Sequence, residues 1–206
     1  MQTKYRLIFA TSNLGKRKEV EQMLQSDRLE ILSLVDLGLN LDDVKEDGET
    51  FWDNAKIKMY AIAKKTDFSY LVLADDSGLE IDALNKKPGV HSSRYLGEDT
   101  SYEEKNQSIL KQLAAVTGEN RSARFLCEMA LFIPQEDKIF RGSGVLEGRI
   151  ANYAQGENGF GYDPIFYLEK KKKTLAQLSA SEKNQFSHRK QALQKVKEEL
   201  EVRKML

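Results

Sequence analysis

Four stretches of the chain carry residues that could do chemistry. In "VLADDSGLEID", Asp75 and Asp76 follow an apolar run. Neighbours in an extended chain point to opposite faces, so the two carboxylates are expected to do different jobs. One could face a metal or a water while the other caps a turn; by residue type, D-D-S-G also suits a plain turn. Glu46, in "VKEDGETF", precedes a helical pattern and is a second carboxylate candidate, although by itself it resembles any exposed loop acid. In "FATSNLGKRKE" an apolar strand runs through a polar turn into a helix. A helix N-terminus offers unpaired N–H groups and the positive end of a dipole, which suit an anion. Ser12 and Asn13 add donors, and Lys16 adds a mobile point charge for phosphate. The G-x-x-x-x-G-K-[ST] spacing of a P-loop is absent, and a capped helix followed by solvated lysines remains the alternative.

The other two stretches are C-terminal. "SEKNQFSHRKQAL" gathers Lys183, Ser187, His188 and Arg189 around a helix start, a donor-rich set able to hold phosphate oxygens or the carbonyl edge of a base. An ordinary capped amphipathic helix has the same look. "GENGFGYDPIF", residues 156–166, mixes glycines with aromatics and one acid, Asp163, so composition alone leaves loop and core in conflict.

The elements that must position these residues follow from periodicity. Strands are expected at 6–10, 29–34 and 70–74, with a second strand in "LEIDAL" after the D-D-S-G turn. "ARFLCEMALFI" and "KIFRGSGVLEGRI" read as two long strands. The glycines of "GSGVLEG" are expected at bends or bulges, since no helix follows to make a dinucleotide fingerprint. Helices are expected over 15–26, 49–66, 100–116 and 187–200, with Thr50 and Ser187 as N-caps. On the second helix, Trp52, Ala55, Met59, Ile62 and Ala63 share one face. Strands alternating with helices early and hairpin-like strands late predict an α/β fold with a mixed sheet, in a single domain over 1–206.

Composition sets the setting. The chain has 206 residues, 40% hydrophobic and 31% charged, and a formal net charge of zero, which argues against binding nucleic acid by bulk attraction. The single cysteine, Cys127, excludes an intrachain disulfide and lies in an apolar run as a core thiol. No signal peptide is visible, and the longest apolar stretch is too short to span a bilayer, so a cytoplasmic soluble protein is expected. "KKKK" (170–173) is expected on a solvated loop, and His91 is expected to be structural or exposed.

Taken together, "ATSNLGK", "ADDSGLEIDAL…PGVHSSRYLG", "GFGYDPIF" and "SEKNQFSHRKQAL" occur in the order and spacing of the inosine triphosphate pyrophosphatase family, which the chain resembles over nearly its whole length. The resemblance implies an elongated mixed sheet flanked by helices, two lobes with a central nucleotide cleft, and a homodimer. It implies Mg²⁺-dependent conversion of non-standard purine nucleoside triphosphates to the monophosphate and pyrophosphate. Thr11, Ser12, Asn13, Leu14, Gly15 and Lys16 match its triphosphate loop, with Ser12 where the family usually has glycine. Lys58 matches a second phosphate lysine. Glu46 and Asp76 match the acids around the metal, and Asp76 also the general base. Ser77 matches a substrate contact. Phe160, Gly161, Tyr162 and Asp163 match the base-binding segment, in which Phe160 would stack on the purine while Gly159 and Gly161 let the backbone approach it. Lys183, His188 and Arg189 match further nucleotide contacts, with Ser187 adjacent. A related pyrophosphatase acting on dTTP or UTP, and a nucleotide-binding module without turnover, are the alternatives.

Overall fold

The computed structural model describes residues 4–206. Its strands form one seven-stranded mixed sheet in the order β2-β1-β3-β4-β5-β6-β7. β1 (Tyr5–Phe9) is parallel to both β2 (Leu29–Ser33) and β3 (Leu71–Ile81). Further on are β4 (Ser122–Ile133) and β5 (Lys138–Ile150), then the antiparallel pairs of β5 with β6 (Phe166–Leu168) and of β6 with β7 (Lys173–Thr174). The helices are α1 (Leu14–Met23), α2 (Phe51–Lys65), α3 (Tyr102–Gln112), α4 (Ala180–Asn184) and α5 (His188–Val202).

Helix starts are fixed by short polar side chains. Asn13 caps α1, Thr50 caps α2, and Ser101 with Glu104 makes a capping box on α3. Ser187 Oγ accepts the Lys190 N–H at 3.1 Å, as expected of a cap for α5. One expectation fails: D-D-S-G is not a turn. β3 runs unbroken through Asp75, Asp76, Ser77 and Gly78, because pairing inside the sheet overrides the local turn preference of these residues. "GSGVLEG" lies, as expected, within one long strand, β5. Its glycines serve close packing: a Cβ at Gly142 would lie 2.4 Å from the Ala192 carbonyl oxygen of α5.

The chain divides into two compact units. Residues 4–76, 127–144 and 191–206 form the first, and residues 77–126 and 145–190 the second; the change-over falls inside β3, β4, β5 and α5. In the first unit the sheet is covered on both faces. Leu7, Phe9, Leu71 and Leu73 join Val20 and Leu24 of the α1 region and Leu193, Val196 and Leu200 of α5 in one core. Ile8, Ala10, Val72 and Ala74 join Ala55, Met59, Ile62 and Ala63 of α2 in another. Strict alternation along β1 and β3 divides these residues. Cys127 is fully buried in the first of these cores.

The second unit has one core, in which Ile109 and Leu113 meet Leu79, Ile81, Phe125, Ile150 and Phe166. The alternate residues are charged: Arg124 pairs with Asp82 at 3.1 Å, Glu147 at 3.1 Å and Glu80 at 3.7 Å. Buried Arg121 donates to the carbonyls of Leu113, Val116, Ile150 and Ala151, tying the end of α3 to the end of β5. The 170–173 lysines are exposed, as is His91.

Candidate active site

In the first unit, the alternation that divides the core also divides the two acids. Asp75 continues the register of Leu71 and Leu73, so it faces the α1 side; Asp76 continues that of Val72 and Ala74, so it faces α2. Asp75 Oδ2 accordingly binds Lys16 Nζ of α1 at 2.7 Å, with the carboxylate almost wholly buried. Asp76 meets two α2 side chains: its Oδ2 accepts from Asn54 Nδ2 at 3.1 Å, and its Oδ1 lies 3.6 Å from Lys58 Nζ. Lys58 Nζ also holds Glu46 Oε2 at 2.7 Å. The different jobs expected of Asp75 and Asp76 therefore follow from the pleat, although the turn expected around them does not form.

Charge in this group is finely opposed. Burial pushes the Asp76 carboxyl above its ordinary value; Lys58 and the Asn54 hydrogen bond pull it down, while Glu46 and Asp75 add to the rise. Burial works against the Lys58 ammonium, but Asp76, Asp75 and Glu46 together hold its pKa above the usual lysine value. A cation is thus what these carboxylates require, and the ammonium supplies one.

The loop before α1 differs from the expected open anion site. Asn13 Oδ1 accepts the N–H groups of Gly15 at 2.9 Å and Lys16 at 3.1 Å, and Thr11 Oγ1 accepts that of Asn13 at 3.2 Å. Two amides at the helix start are therefore taken by the cap. Lys16 is held by Asp75 rather than left mobile. Ser12, Leu14 and Gly15 are exposed, Leu14 by 72%.

In the second unit, Asp163 organises the glycine–aromatic stretch. It is buried; its Oδ2 accepts the Phe160 N–H at 2.9 Å and binds Lys183 Nζ of α4 at 2.5 Å. Lys183 Nζ in turn stands 4.7 Å over the Phe160 ring, which is half exposed. Gly159 has φ +77°, and a Cβ there would fall 2.1 Å from Asp163 Oδ2, so glycine is required here by the carboxylate. The loop is pinned rather than pliable: Asn106 Nδ2 donates to the Gly161 carbonyl at 3.0 Å, and the Asn158 N–H to that of Ala176 at 3.0 Å. Tyr162 turns into the core. Its hydroxyl donates to the Ser92 carbonyl at 2.7 Å, its ring packs edge-on against Tyr102, and burial pushes its phenol up. Ser187, His188 and Arg189 are all buried, with the His188 ring stacked 5.0 Å from that of Phe125. Ser77 is partly buried on β3.

Asn54, Phe125 and the pairing of Lys16 with Asp75 are not evident from the motifs. Asn54 and the Lys16–Asp75 pair became visible only through contacts, though the spacing of Asn54 and Lys58 four apart on a helix was available as a signal. Phe125 under His188 lies far from it in the sequence, on β4.

Known proteins agree over the whole chain. The Ham1 family model matches residues 7–199. A dITP/XTP pyrophosphatase of Bacillus cereus is 42% identical over 201 residues, covering 97% of each chain. That of Bacillus subtilis is 43% identical over 196 residues, covering 95% of this chain and 96% of the relative. The solved HAM1 protein of Coxiella burnetii superposes with a TM-score of 0.88 at 40% identity, covering 96% of this chain and 99% of that one. The Staphylococcus aureus Ham1 protein gives 0.87 at 39% identity, with the same coverage. With the sheet and this similarity over nearly the whole length in agreement, the chain belongs to the Ham1 family.

Proposed function

We propose that the chain hydrolyses non-standard purine nucleoside triphosphates, ITP, dITP and XTP, to the monophosphate and pyrophosphate, as a single catalytic domain that removes them from the cytoplasmic nucleotide pool. The observation that carries this reading is the Lys58 ammonium set against Glu46 and Asp76, a cation held by two carboxylates in the first unit. Relatives named dITP/XTP pyrophosphatase support the choice of substrate.

The donor set fits Mg²⁺. Among the described residues no cluster of three or more acidic, histidine or cysteine side chains could hold a metal by itself. Mg²⁺ commonly takes one or two carboxylates and completes its shell with substrate phosphates and water, so Glu46 and Asp76 would suffice. When bound, it would neutralise phosphate charge and polarise the scissile anhydride. Lys16 and Lys58 would bind the triphosphate, with donors from Thr11–Gly15 and Ser77. Asp76 would hold the metal, or orient and deprotonate the water attacking the α-phosphorus, but not both in one step, since a metal-bound carboxylate is a weak base.

The second unit supplies the groups for a base. Phe160 offers half-exposed ring surface for stacking, with Gly161, Asp163 and Lys183 around it. Arg189, buried beside His188 and Ser187, is a donor for the 6-keto oxygen of hypoxanthine or xanthine; adenine presents an amino group there.

The test is pyrophosphate release from ITP, dITP, XTP, ATP, GTP and dTTP, with and without Mg²⁺. Release from the first three, abolished by chelation and by Asp76→Asn, is expected. Fastest release from dTTP would instead favour the pyrimidine-directed enzyme. Binding of ITP without release would make the chain a nucleotide-binding module. The active species is expected to be a homodimer, which sedimentation of the purified chain reads directly. No described helix is long and apolar enough to cross a membrane.

A further inference from the structure

Asn54 is wholly buried in the first turns of α2. Asparagine is a poor helix former, and a buried amide costs free energy unless both its ends are satisfied. Here both ends are satisfied, one by a loop amide and one by a carboxylate. Its Oδ1 accepts the Gly48 N–H at 2.8 Å, and its Nδ2 donates to Asp76 Oδ2 at 3.1 Å. Gly48 is two residues beyond Glu46, and it lies so close to the helix start that a Cβ would fall 2.7 Å from Asp53 Cβ and 2.8 Å from Asn54 Oδ1. Four residues on, on the same helix face, Lys58 reaches Asp76 as well, and Glu46 two residues before Gly48.

We propose that Asn54 is a positioning residue for the carboxylate pair: its amide fastens the Glu46 loop at Gly48 and holds Asp76 Oδ2, so that Asp76 Oδ1 and Glu46 face a common cation. Lys58 neutralises that pair, but a flexible ammonium fixes neither carboxylate's rotamer. The planar amide, bonded at both ends, fixes the loop and the Asp76 rotamer together. The inference rests on the reading of Glu46 and Asp76 as metal ligands.

Two substitutions in the full-length chain test it. Asn54→Ala removes both bonds; Gly48→Ala, in a partly exposed loop, pushes the loop away and leaves the Asn54 side chain in place. Two readouts do not depend on turnover: amide exchange at Gly48 followed by NMR, and Mn²⁺ affinity measured by electron paramagnetic resonance with the non-hydrolysable α,β-imido analogue of ITP. Both variants are expected to speed exchange of the residue-48 amide at least tenfold, relative to the unstructured rate of the residue that stands there. They are expected to weaken Mn²⁺ binding by about 10–100-fold, the usual effect of losing a group that orients a ligand. Binding of the analogue in the absence of metal should stay within threefold of wild type. Mn²⁺ affinity unchanged within threefold in either folded variant overturns the proposal. So does a wild-type Gly48 amide that exchanges as fast as an unprotected loop, or a wild-type chain that binds no Mn²⁺. If Asn54→Ala does not fold, Gly48→Ala decides. A wild-type chain that releases no pyrophosphate, yet binds Mn²⁺ in an Asn54-dependent way, would refute the enzymatic reading and leave this one standing.

Discussion

Replacing Lys58 with methionine removes the cation that faces Glu46 and Asp76 while keeping most of the apolar stem. Lys58 is 8% exposed, and the side chains of Asp76 and Glu46 are 13% and 32% exposed. Breaking a fully buried pair costs about 3–5 kcal/mol, because a charge is left without its partner. Glu46 is one-third in water, so the expected loss is smaller, about 1–3 kcal/mol at neutral pH. For a chain of this length that lowers Tm by about 3–9 °C. The loss should depend on pH in a definite direction. Burial already holds the Asp76 carboxyl above its ordinary value, and Lys58 is the strongest influence opposing that. Without Lys58 the folded-state value rises further. The folded protein then binds the proton more tightly than the unfolded chain, so stability falls as pH climbs from about 4 through the raised value and levels off above it. The difference between wild type and Lys58→Met should thus be small near the ordinary carboxylate value and grow as pH rises through the raised one. Mg²⁺ should restore part of the lost Tm, and more in the variant than in wild type, since it meets no ammonium there. Denaturation by heat and by urea, from acid to mildly alkaline pH with and without Mg²⁺, measures all of this. A stability difference that stays flat across that range, or a variant as stable as wild type at neutral pH, would refute the reasoning.

Other outcomes can be stated briefly. Arg189→Ala should lose most ITP turnover and narrow the ITP-to-ATP ratio of kcat/KM, because adenine offers this buried donor no acceptor, a mismatch worth about 1–3 kcal/mol; an unchanged ratio places the 6-keto contact elsewhere. Tyr162→Phe should cost about 1 kcal/mol in urea unfolding by deleting the bond to the Ser92 carbonyl, with nucleotide KM unchanged. A raised KM would mean that the phenol reaches substrate. Gly142→Ala should destabilise by about 1–3 kcal/mol, since its Cβ would stand 2.4 Å from the Ala192 carbonyl oxygen, with turnover per folded molecule intact.

Much of this molecule was legible in the chain itself. Local rules carried the helices: Thr50, Ser187 and the apolar face of Ala55, Met59, Ile62 and Ala63 act through neighbours within one turn, and each appears in the structure as expected. Period-two alternation was enough to send Asp75 and Asp76 to opposite faces. Motif order was enough to identify the family. What failed were preferences that distant partners override. D-D-S-G has turn chemistry, but sheet pairing holds it extended. The glycines of 156–161 suggest pliability, but Asp163, Asn106 and Ala176 pin that loop from elsewhere in the second unit. The short helix α4, closed by a capping box of Ser179 and Glu182, was hidden in a stretch that reads only as polar. The partner of each charge was likewise beyond the sequence. Lys16 meets Asp75, Lys58 meets Glu46 and Asp76, and Asn54 meets Asp76, each across 12 to 59 residues of chain. Residue types and spacing determined which groups were available and which face each would take. Only the tertiary structure decided which charges share a buried space, because that depends on the packing of α1 and α2 against opposite faces of β1 and β3.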